Sequence, residues 1–245
     1  MGAITFSLDE NLAAFLAREL PIQIFVETGA FHGDSLDIAR RHFPDCRSVE
    51  MSPELYERVR ARFAGQSNIK LHLSDSPVFL RGHREEFAAR PALFWLDAHW
   101  CQADQTSGRL SQSPLLGELA AIQSLHPDSV ILIDDARLYL CAPPLPHNCA
   151  DWPDFHSILT VLLSLSSQHR LMVLNDVIIF FPARISAAMF DFSHHRGADW
   201  LVTNHLLQAC QARERERQAR RFPSVNFFRH LFRRRIENRP DHAPH

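Results

Sequence analysis

The sequence predicts an α/β domain in which a mostly parallel sheet carries helices on both faces and ends in an antiparallel hairpin. Strand-like and helix-like segments alternate repeatedly between Ile22 and Leu165. The strand-like segments are apolar throughout, which is typical of parallel strands that are covered on both faces. Beyond them, the runs LMVL and VIIFF flank the dipeptide Asn175-Asp176, which is the pattern of a β-hairpin.

The individual elements follow from their apolar patterns and their end signals. Ser7 with Glu10 three residues later predicts a capped helix, which Pro21 ends. Proline in the first turn predicts a helix that begins at Pro53. Helices are predicted at Ser7–Leu20, Ser35–Phe43, Pro53–Phe63, Val78–Ala88, Pro114–Leu125 and Phe155–Leu165. Strands are predicted from Ile22 into a glycine turn and at Arg47–Met51, Ile69–Leu73, Ala92–Leu96 and Val130–Ile133.

Length and charge divide the chain into three predicted regions. With 245 residues, of which 46% are hydrophobic, one α/β domain with extensions is expected. We predict an N-terminal helix at 1–21, the α/β domain at 22–182, and a basic helical extension with a disordered tail at 183–245. The net charge is −2, but the segment from Arg196 to Arg239 holds eleven arginines and four acidic residues.

Residue usage argues against several functions. Lys70 is the only lysine and follows no glycine-rich loop, so a phosphate-binding P-loop and Schiff-base catalysis are not indicated. The five cysteines are widely spaced and form no C-x-x-C pair, so neither a zinc site nor a disulfide framework is indicated. The sequence shows no signal-peptide pattern and no apolar run of membrane-spanning length, so we expect a cytoplasmic protein with free thiols.

Acidic residues and glycines follow the first three predicted strands. Gly29 and Gly33 form a turn between a strand and a helix, where open α/β sheets bind ligands. Glu50 ends the second strand and is placed to bind ribose hydroxyls, and Asp75 follows the third strand and is placed to reach adenine. Each has a structural alternative. The glycine turn would only pack a helix on a strand, Glu50 would be a charge at a helix N-terminus, and Asp75 would be a helix N-cap.

The strings VETGAFHGDS, SVEMSPELYERV, LHLSDS, ALFWLDAHW and VILIDDAR resemble class I S-adenosylmethionine-dependent methyltransferases. They are similar in particular to bacterial macrocin-type, metal-dependent sugar O-methyltransferases, over Ile22 to Phe181. The resemblance implies a Rossmann-like, seven-stranded sheet, S-adenosyl-L-methionine as cofactor, and O-methylation of a small-molecule or sugar hydroxyl. The chain departs from the common G-x-G-x-G turn, because Ala30 and Phe31 stand in its middle.

Roles in cofactor binding are carried over position by position. The resemblance places the methionine part of the cofactor against the first turn, the ribose on Glu50, and the adenine against residues after the second and third strands. The residues so implied are Glu27, Thr28, Gly29, Gly33, Ser35, Glu50, Met51, Asp75 and Ser76.

Three aspartates end the fourth and fifth predicted strands, which are neighbours in this layout. Asp97, Asp134 and Asp135 would repel one another in a cleft, so either one is protonated or a cation lies among them. Mg²⁺ prefers such oxygen ligands, and the resemblance implies these three as metal ligands that place vicinal substrate hydroxyls. Alternatively, Asp134 or Asp135 caps the following turn and Asp97 contacts the cofactor.

The same edge of the sheet offers a general base and an acceptor lid. Asp97 and His99 are the candidate catalytic residues, because either can take the acceptor proton. His99 is alternatively a further ligand or an ordinary loop residue. The segments Cys101–Ser113 and Leu140–Pro153, which includes Trp152, are candidate lids, or else rigid surface connections.

Other functional classes were weighed against this interpretation. A nicotinamide-dependent reductase is disfavoured, because neither Tyr56 nor Tyr139 has a lysine four residues on. An RNA methyltransferase would use the basic C-terminus on phosphates, but L-D-A-H-W stands where base methylases have an N-P-P-Y-like motif. The arginine- and phenylalanine-rich segment FPSVNFFRHLFRRR would alternatively lie on an anionic membrane surface or a partner. N-methylation stays open, and so does oligomeric state.

Overall fold

The computed structural model describes residues 7–100 and 111–221 of the chain. One compact unit extends to Gly197, and a second begins at Ala198. The predicted boundary after Pro182 therefore falls before the end of the first unit. The difference arises from a helix at Ser186–Arg196, in which Met189 is buried and belongs to the core of the first unit.

Seven strands and nine α-helices are described in the first unit. The strands are β1 Ile24–Thr28, β2 Asp45–Glu50, β3 Ile69–Leu73, β4 Ala92–Leu96, β5 Val130–Ile133, β6 His169–Leu174 and β7 Val177–Pro182. The helices are α1 Glu10–Glu19, α2 Asp34–Ala39, α3 Pro53–Arg62, α4 Ser76–Gly82, α5 Arg84–Ala89, α6 Leu115–Ile122, α7 Arg137–Leu140, α8 Phe155–Leu165 and α9 Ser186–Arg196. The described part of the second unit contains helix α10, Trp200–Arg221.

The sheet confirms the predicted fold. Its strand order is β3-β2-β1-β4-β5-β7-β6, with the first five strands parallel and β7 antiparallel to both of its neighbours. The strand order reverses between β1 and β4, and the carboxyl ends of these strands form the crevice in which open α/β sheets bind ligands. The glycine turn and the three aspartates of the sequence prediction all lie at this edge.

Two separate clusters of side chains cover the two faces of the sheet. On one face Phe25 and Trp95 pack with residues of α1, α2 and α9, including Leu12. On the other face Val26 and Phe94 pack with residues of α4, α5, α6 and α8. Successive side chains of a strand point to opposite faces, so both sets of positions must be apolar. This double burial is the reason that the central strands show apolar residues at every position.

Several predicted helix ends differ from the observed ones. Asp9, and not Ser7, caps α1, because its carboxylate accepts hydrogen bonds from the backbone N–H groups of Asn11 and Leu12. The helix predicted at Val78–Ala88 is two helices that meet at His83. The helix predicted to reach Leu125 ends at Ile122, because the following Gln123 has a φ of 54°, outside the helical range.

Helix α10 and the residues after it carry the predicted basic extension. Helix α10 has exposed apolar residues at Leu201, Leu206 and Leu207. The segment FPSVNFFRHLFRRR and the predicted disordered tail lie outside the described residues. No helix within residues 7–100 and 111–221 is both long enough and apolar enough to cross a bilayer.

An ion-pair cluster lies around Arg47 of β2. The side chain of Arg47 is 8% exposed and contacts Asp45 and Glu86, with nitrogen–oxygen distances of 3.0 and 2.5 Å. Arg90 contacts the same two acids at 3.3 and 3.0 Å. Removing Arg47 from this cluster leaves the partly buried charges of Asp45 and Glu86 poorly compensated.

We expect Arg47→Met to lower the free energy of unfolding by about 2–3 kcal/mol, a loss reduced from that of a fully buried pair because Arg90 remains. Urea denaturation followed by circular dichroism measures this loss. The matched control is Arg60→Met, which removes the exposed pair between Arg60 and Glu57 of α3. This control is expected to leave the midpoint unchanged. Equal midpoints for both variants would show that the cluster contributes nothing to stability.

Candidate active site

The turn after β1 is built by two glycines in the left-handed region. Gly29 has a φ of +81°, and a Cβ atom added to it would lie 2.5 Å from the carbonyl oxygen of Asp97. Gly33 has a φ of +80°, and its Cβ would lie 2.7 Å from a ring carbon of Phe63. Because the obstacle at Gly29 is backbone, only glycine fits there. The cofactor-type turn is thereby packed directly against the end of β4.

Glu50 links this turn to the start of α3. One carboxylate oxygen accepts a hydrogen bond from the Phe31 backbone N–H at 3.0 Å, and the other accepts one from the Ser52 N–H at 2.8 Å. The second contact matches the helix-terminus role that the sequence left as an alternative. Each ionised carboxylate oxygen can accept a further hydrogen bond, so the residue retains acceptor capacity for ligand hydroxyls.

Glu27 lies beneath the turn rather than in it. The side chain is buried in β1, and the hydroxyl of Ser48 donates a hydrogen bond to it. Burial raises the pKa of Glu27 to about 8, against the opposing effect of that hydrogen bond. The structure therefore places Glu27 as a neutral, hydrogen-bonded support of the turn at neutral pH.

The other predicted cofactor residues lie around the same edge. Ser35 is buried in α2, and its hydroxyl accepts a hydrogen bond from the Leu8 N–H at 3.1 Å. Met51 follows Glu50 and is 46% exposed, so it presents an apolar surface beside Glu50. Asp75 occupies the N-cap position of α4, but its side chain makes no capping hydrogen bond within the described chain. The N-cap alternative therefore does not account for its carboxylate.

Glu118 of α6 is a buried acid that sequence reasoning missed. Its side chain is 1% exposed, and its Oε1 atom has no hydrogen-bond partner within residues 7–100 and 111–221. Burial raises the pKa of Glu118 to about 7. The available signal was a single acid within the otherwise apolar helix sequence LLGELAAI. The nearby hydroxyls of Ser76 and Thr28, two of the predicted cofactor residues, oppose this rise in the pKa of Glu118.

The three aspartates at the ends of β4 and β5 form a cluster with mutual repulsion, as the sequence predicts. Burial together with the charges of Asp134 and Asp135 raises the pKa of Asp97 well above its usual range. Burial and the neighbouring Asp135 raise the pKa of Asp134 to about 7. The Asp134 carboxylate accepts a hydrogen bond from the Asp135 backbone N–H, at a distance of 2.8 Å.

His99 lies between two of these carboxylates. Its Nε2 atom is 3.2 Å from an oxygen of Asp97 and 3.4 Å from an oxygen of Asp135. The angles are unfavourable, so Nε2 has no hydrogen-bond partner among the described residues. Burial lowers the pKa of His99, which favours the neutral ring. The ring also contacts Trp152, with a distance of 5.5 Å between ring centres.

Arg137 is a second residue that the sequence analysis missed. Its guanidinium is 2.6 Å from Asp135 and also contacts Asp176 in the hairpin turn between β6 and β7. The backbone N–H of Arg137 donates a further hydrogen bond to Asp176 at 2.7 Å. The charge of Asp135 is therefore partnered by an arginine, which the hairpin holds in place.

The predicted magnesium ligands do not form a metal-binding set. Across residues 7–100 and 111–221, no three side chains of His, Cys, Asp or Glu are arranged to hold a metal ion. Asp135 is bound by Arg137, and Asp134 by its neighbour's backbone. Arg137 supplies positive charge beside Asp135, where an ion would otherwise compensate the carboxylates. We therefore derive no step through a metal.

The two segments predicted as lids meet beside this cluster, although residues 101–110 lie outside the described residues. The side-chain oxygen of Gln112 accepts hydrogen bonds from Trp152 Nε1 at 2.9 Å and from the Asn148 N–H at 2.8 Å. A cavity of about 360 Å³ lies next to Trp152. Its walls are mainly apolar and include Pro77, Ser113, Leu116, Gly117, Trp152 and Pro153.

No protein-family model and no curated protein sequence matches this chain. Solved structures with a similar fold include the O-methyltransferase TomG from Streptomyces achromogenes, at 15% identity and a TM-score of 0.49, covering 71% of this chain and 78% of that one. The Podospora anserina methyltransferase PaMTH1 is 17% identical with a TM-score of 0.48, and the match covers 71% of this chain and 77% of that one. A methyltransferase from Geobacter sulfurreducens is 15% identical with a TM-score of 0.46, and the match covers 71% of this chain and 79% of that one. These similarities concern the fold, and no conclusion about activity is drawn from them.

Proposed function

We propose that this chain is an S-adenosyl-L-methionine-dependent methyltransferase that methylates a hydroxyl group of a small molecule or sugar. The observation that carries the proposal is the contact between the Gly29 turn and the end of β4. This contact brings the cofactor-type turn and the Asp97–His99–Asp135 cluster to one edge of the sheet. A donor held by the turn would therefore present its reactive end to a buried base.

Two features of the chain support cofactor binding. Glu50 is fixed by two backbone N–H groups and retains acceptor capacity for the two ribose hydroxyls. Asp75 stands at the next strand end without a capping contact and can accept a hydrogen bond from the adenine amino group. When bound, S-adenosyl-L-methionine supplies a methyl group that its positive sulfur activates toward attack by an oxygen atom.

The chain's own contribution to the reaction is to position the acceptor and to remove its proton. His99 is kept neutral by burial and can take the hydroxyl proton on Nε2. The carboxylate of Asp135, at 3.4 Å, stabilises the imidazolium that forms, and the carboxyl group of Asp97 lies at 3.2 Å. Arg137 holds Asp135 in position for this role. The apolar cavity beside Trp152 would hold the body of the acceptor.

The experiment that tests the proposal is titration calorimetry of the purified protein with S-adenosylhomocysteine. We expect the wild-type protein to bind it, and Glu50→Gln to bind about 10- to 100-fold more weakly, because hydrogen bonds to the ionised carboxylate are lost. The matched control is Glu54→Gln, four residues on, where the exposed carboxylate pairs only with Arg58 of the same helix. This control should bind like the wild type. Absence of binding by the wild-type protein would refute the proposed function.

A further inference from the structure

Trp152 belongs both to the apolar cavity and to the surroundings of His99. It lines the cavity, and its ring lies 5.5 Å from the ring of His99, measured between ring centres. Trp152 is buried, and its indole N–H donates a hydrogen bond to the Gln112 side chain at 2.9 Å. Tyr139 packs against it, with 5.3 Å between ring centres. A ligand ring that packs on Trp152 inside the cavity would therefore lie beside the proposed proton acceptor.

The polar side chains in the cavity wall already have partners. Among the described residues that line the cavity, those with polar side-chain groups are Ser113, Asp151 and Trp152. The Ser113 hydroxyl hydrogen-bonds to the Tyr139 hydroxyl at 3.2 Å, and the indole N–H of Trp152 is bound as above. The Asp151 carboxylate accepts a hydrogen bond from the Asn148 side chain at 3.1 Å. A sugar would bring several hydroxyls to this wall, and each hydroxyl buried without a partner costs free energy.

The rest of the wall is apolar and rigid. Pro77, Pro114 and Pro153 supply ring side chains on backbone whose φ angles are fixed. The other lining residues are Leu116, Gly117 and Ala150. A Cβ atom on Gly117 would lie 3.3 Å from the Pro77 ring, so α4 and α6 are closely packed at the cavity and have little room to adapt. Such a wall recognises a ligand mainly by its shape and its apolar surface.

We propose that the methyl acceptor is a flat aromatic compound that carries the hydroxyl on its ring, and that Trp152 selects it by stacking. This inference rests on the proposed function and names its substrate class, in place of a sugar. Aromatic rings gain from offset or edge-to-face contact with an indole beyond the area that they bury. Trp152 is therefore a specificity-determining residue for the acceptor.

An aromatic hydroxyl is also the easier group to methylate beside an imidazole. It loses its proton at about pH 10, as the tyrosine side chain does, whereas aliphatic hydroxyls are far weaker acids. In the transfer, the acceptor oxygen forms a bond to the methyl carbon while the carbon–sulfur bond breaks. The electron pair of the broken bond stays on sulfur, and the hydroxyl proton passes to Nε2 of His99.

The test offers the wild-type protein three hydroxyl compounds: 2-naphthol, its saturated counterpart decahydro-2-naphthol, and methyl glucoside. The first two share one carbon skeleton, so apolar area does not favour the flat compound. Titration calorimetry in the presence of S-adenosylhomocysteine measures binding, and transfer of a labelled methyl group from S-adenosyl-L-methionine measures kcat/KM. We expect 2-naphthol to bind about tenfold more tightly than either other compound and to be the preferred acceptor.

Two variants assign this preference to the indole ring. Trp152→Leu should bind 2-naphthol about 3- to 10-fold more weakly and bind decahydro-2-naphthol within about twofold of the wild type. Trp152→Phe keeps an aromatic ring at this position and should recover most of the affinity for 2-naphthol. Both variants should bind S-adenosylhomocysteine like the wild type, because Trp152 is not among the residues proposed to hold the cofactor.

The outcomes separate the substrate class from the function on which it rests. If the wild type binds S-adenosylhomocysteine but binds 2-naphthol no more tightly than its saturated counterpart, or prefers methyl glucoside, the substrate class is wrong and the proposed function stands. Equal losses for the flat and the saturated compound in Trp152→Leu, without recovery in Trp152→Phe, would assign Trp152 a structural role and overturn the inference. Weaker binding of S-adenosylhomocysteine by Trp152→Leu would also overturn it, because the cavity would then belong to the cofactor. A wild-type protein that does not bind S-adenosylhomocysteine would refute the proposed function and this inference together.

Discussion

His99→Gln is expected to lower kcat for methyl transfer by about 10²- to 10⁴-fold, the usual contribution of a positioned general base. The structure gives the physical reason, since Nε2 lies beside Asp97 and Asp135 and burial keeps the ring neutral. Glutamine is similar in size and polarity, but it cannot take a proton near neutral pH. Steady-state kinetics with a saturating acceptor measures the effect, and cofactor affinity should change little.

The pH profile gives an independent test of the same residue. In the proposed mechanism neutral His99 is the active form. Its pKa is lowered from the ordinary value of about 6.5, so the wild-type rate should fall only when the pH drops below that value. The unfolded ring binds a proton at about pH 6.5, so the stabilising contribution of neutral His99 is also lost as the pH falls below this point. His99→Gln should show neither change.

A nearby histidine provides the control for local disturbance. His147 also contacts Trp152, with 5.2 Å between ring centres, but it is not among the residues that contact Asp97 or Asp135. His147→Gln is expected to keep kcat within a few-fold of the wild type. Equal losses in both variants would mean that His99 supports the lid segment rather than accepts a proton. Full activity of His99→Gln would remove it from the chemistry altogether.

The parallel sheet was predictable because its strands are buried on both faces. The bounds of Ile69–Leu73, Ala92–Leu96 and Val130–Ile133 agree with the observed strands. A central strand that is buried on both faces of the sheet must be apolar at every position. The charged residue after the apolar run marks the end of the strand. The same reasoning placed Asp97 and Asp134 at strand ends, although Asp134 is itself buried there.

The connections within the site could not be predicted from the sequence. Glu118 comes near Thr28 and Ser76 only after α6 packs against α4, and periodicity identifies a buried helix face without identifying the neighbours of an acid on it. Arg137 meets Asp176 only when the hairpin folds back beside β5. Sequence reasoning predicts which residues gather at an edge, but pairing at that edge depends on tertiary packing.

These missed partners change the chemistry expected at the edge. Three clustered aspartates require a compensating positive charge or a bound proton. The sequence left a bound cation and a protonated carboxyl open, and the structure provides Arg137 beside Asp135 and raised pKa values for Asp97 and Asp134. Compensation by an arginine and by protonation leaves His99 as the group best suited to accept a proton near neutral pH.

Gly29→Ala is expected to distort the proposed cofactor site, because the added methyl group would lie 2.5 Å from the Asp97 carbonyl oxygen. Neither backbone segment can yield without separating β1 from β4, which pair along their whole length. We expect kcat/KM to fall by about 100-fold through displacement of the turn. The free energy of unfolding should fall by about 2–4 kcal/mol, the sum of left-handed strain and overpacking.

Gly65→Ala is the matched control for backbone strain. Gly65 has a φ of +85°, close to the +81° of Gly29, but nothing lies within 4 Å of its would-be Cβ atom. Alanine there should cost only the strain of about 1 kcal/mol and leave activity intact. Urea denaturation and steady-state kinetics on both variants separate strain from contact. Similar losses of stability and activity in the two variants would show that the close approach of Gly29 to Asp97 does not shape the site. The proposed placement of the cofactor turn beside His99 would then lack its main support.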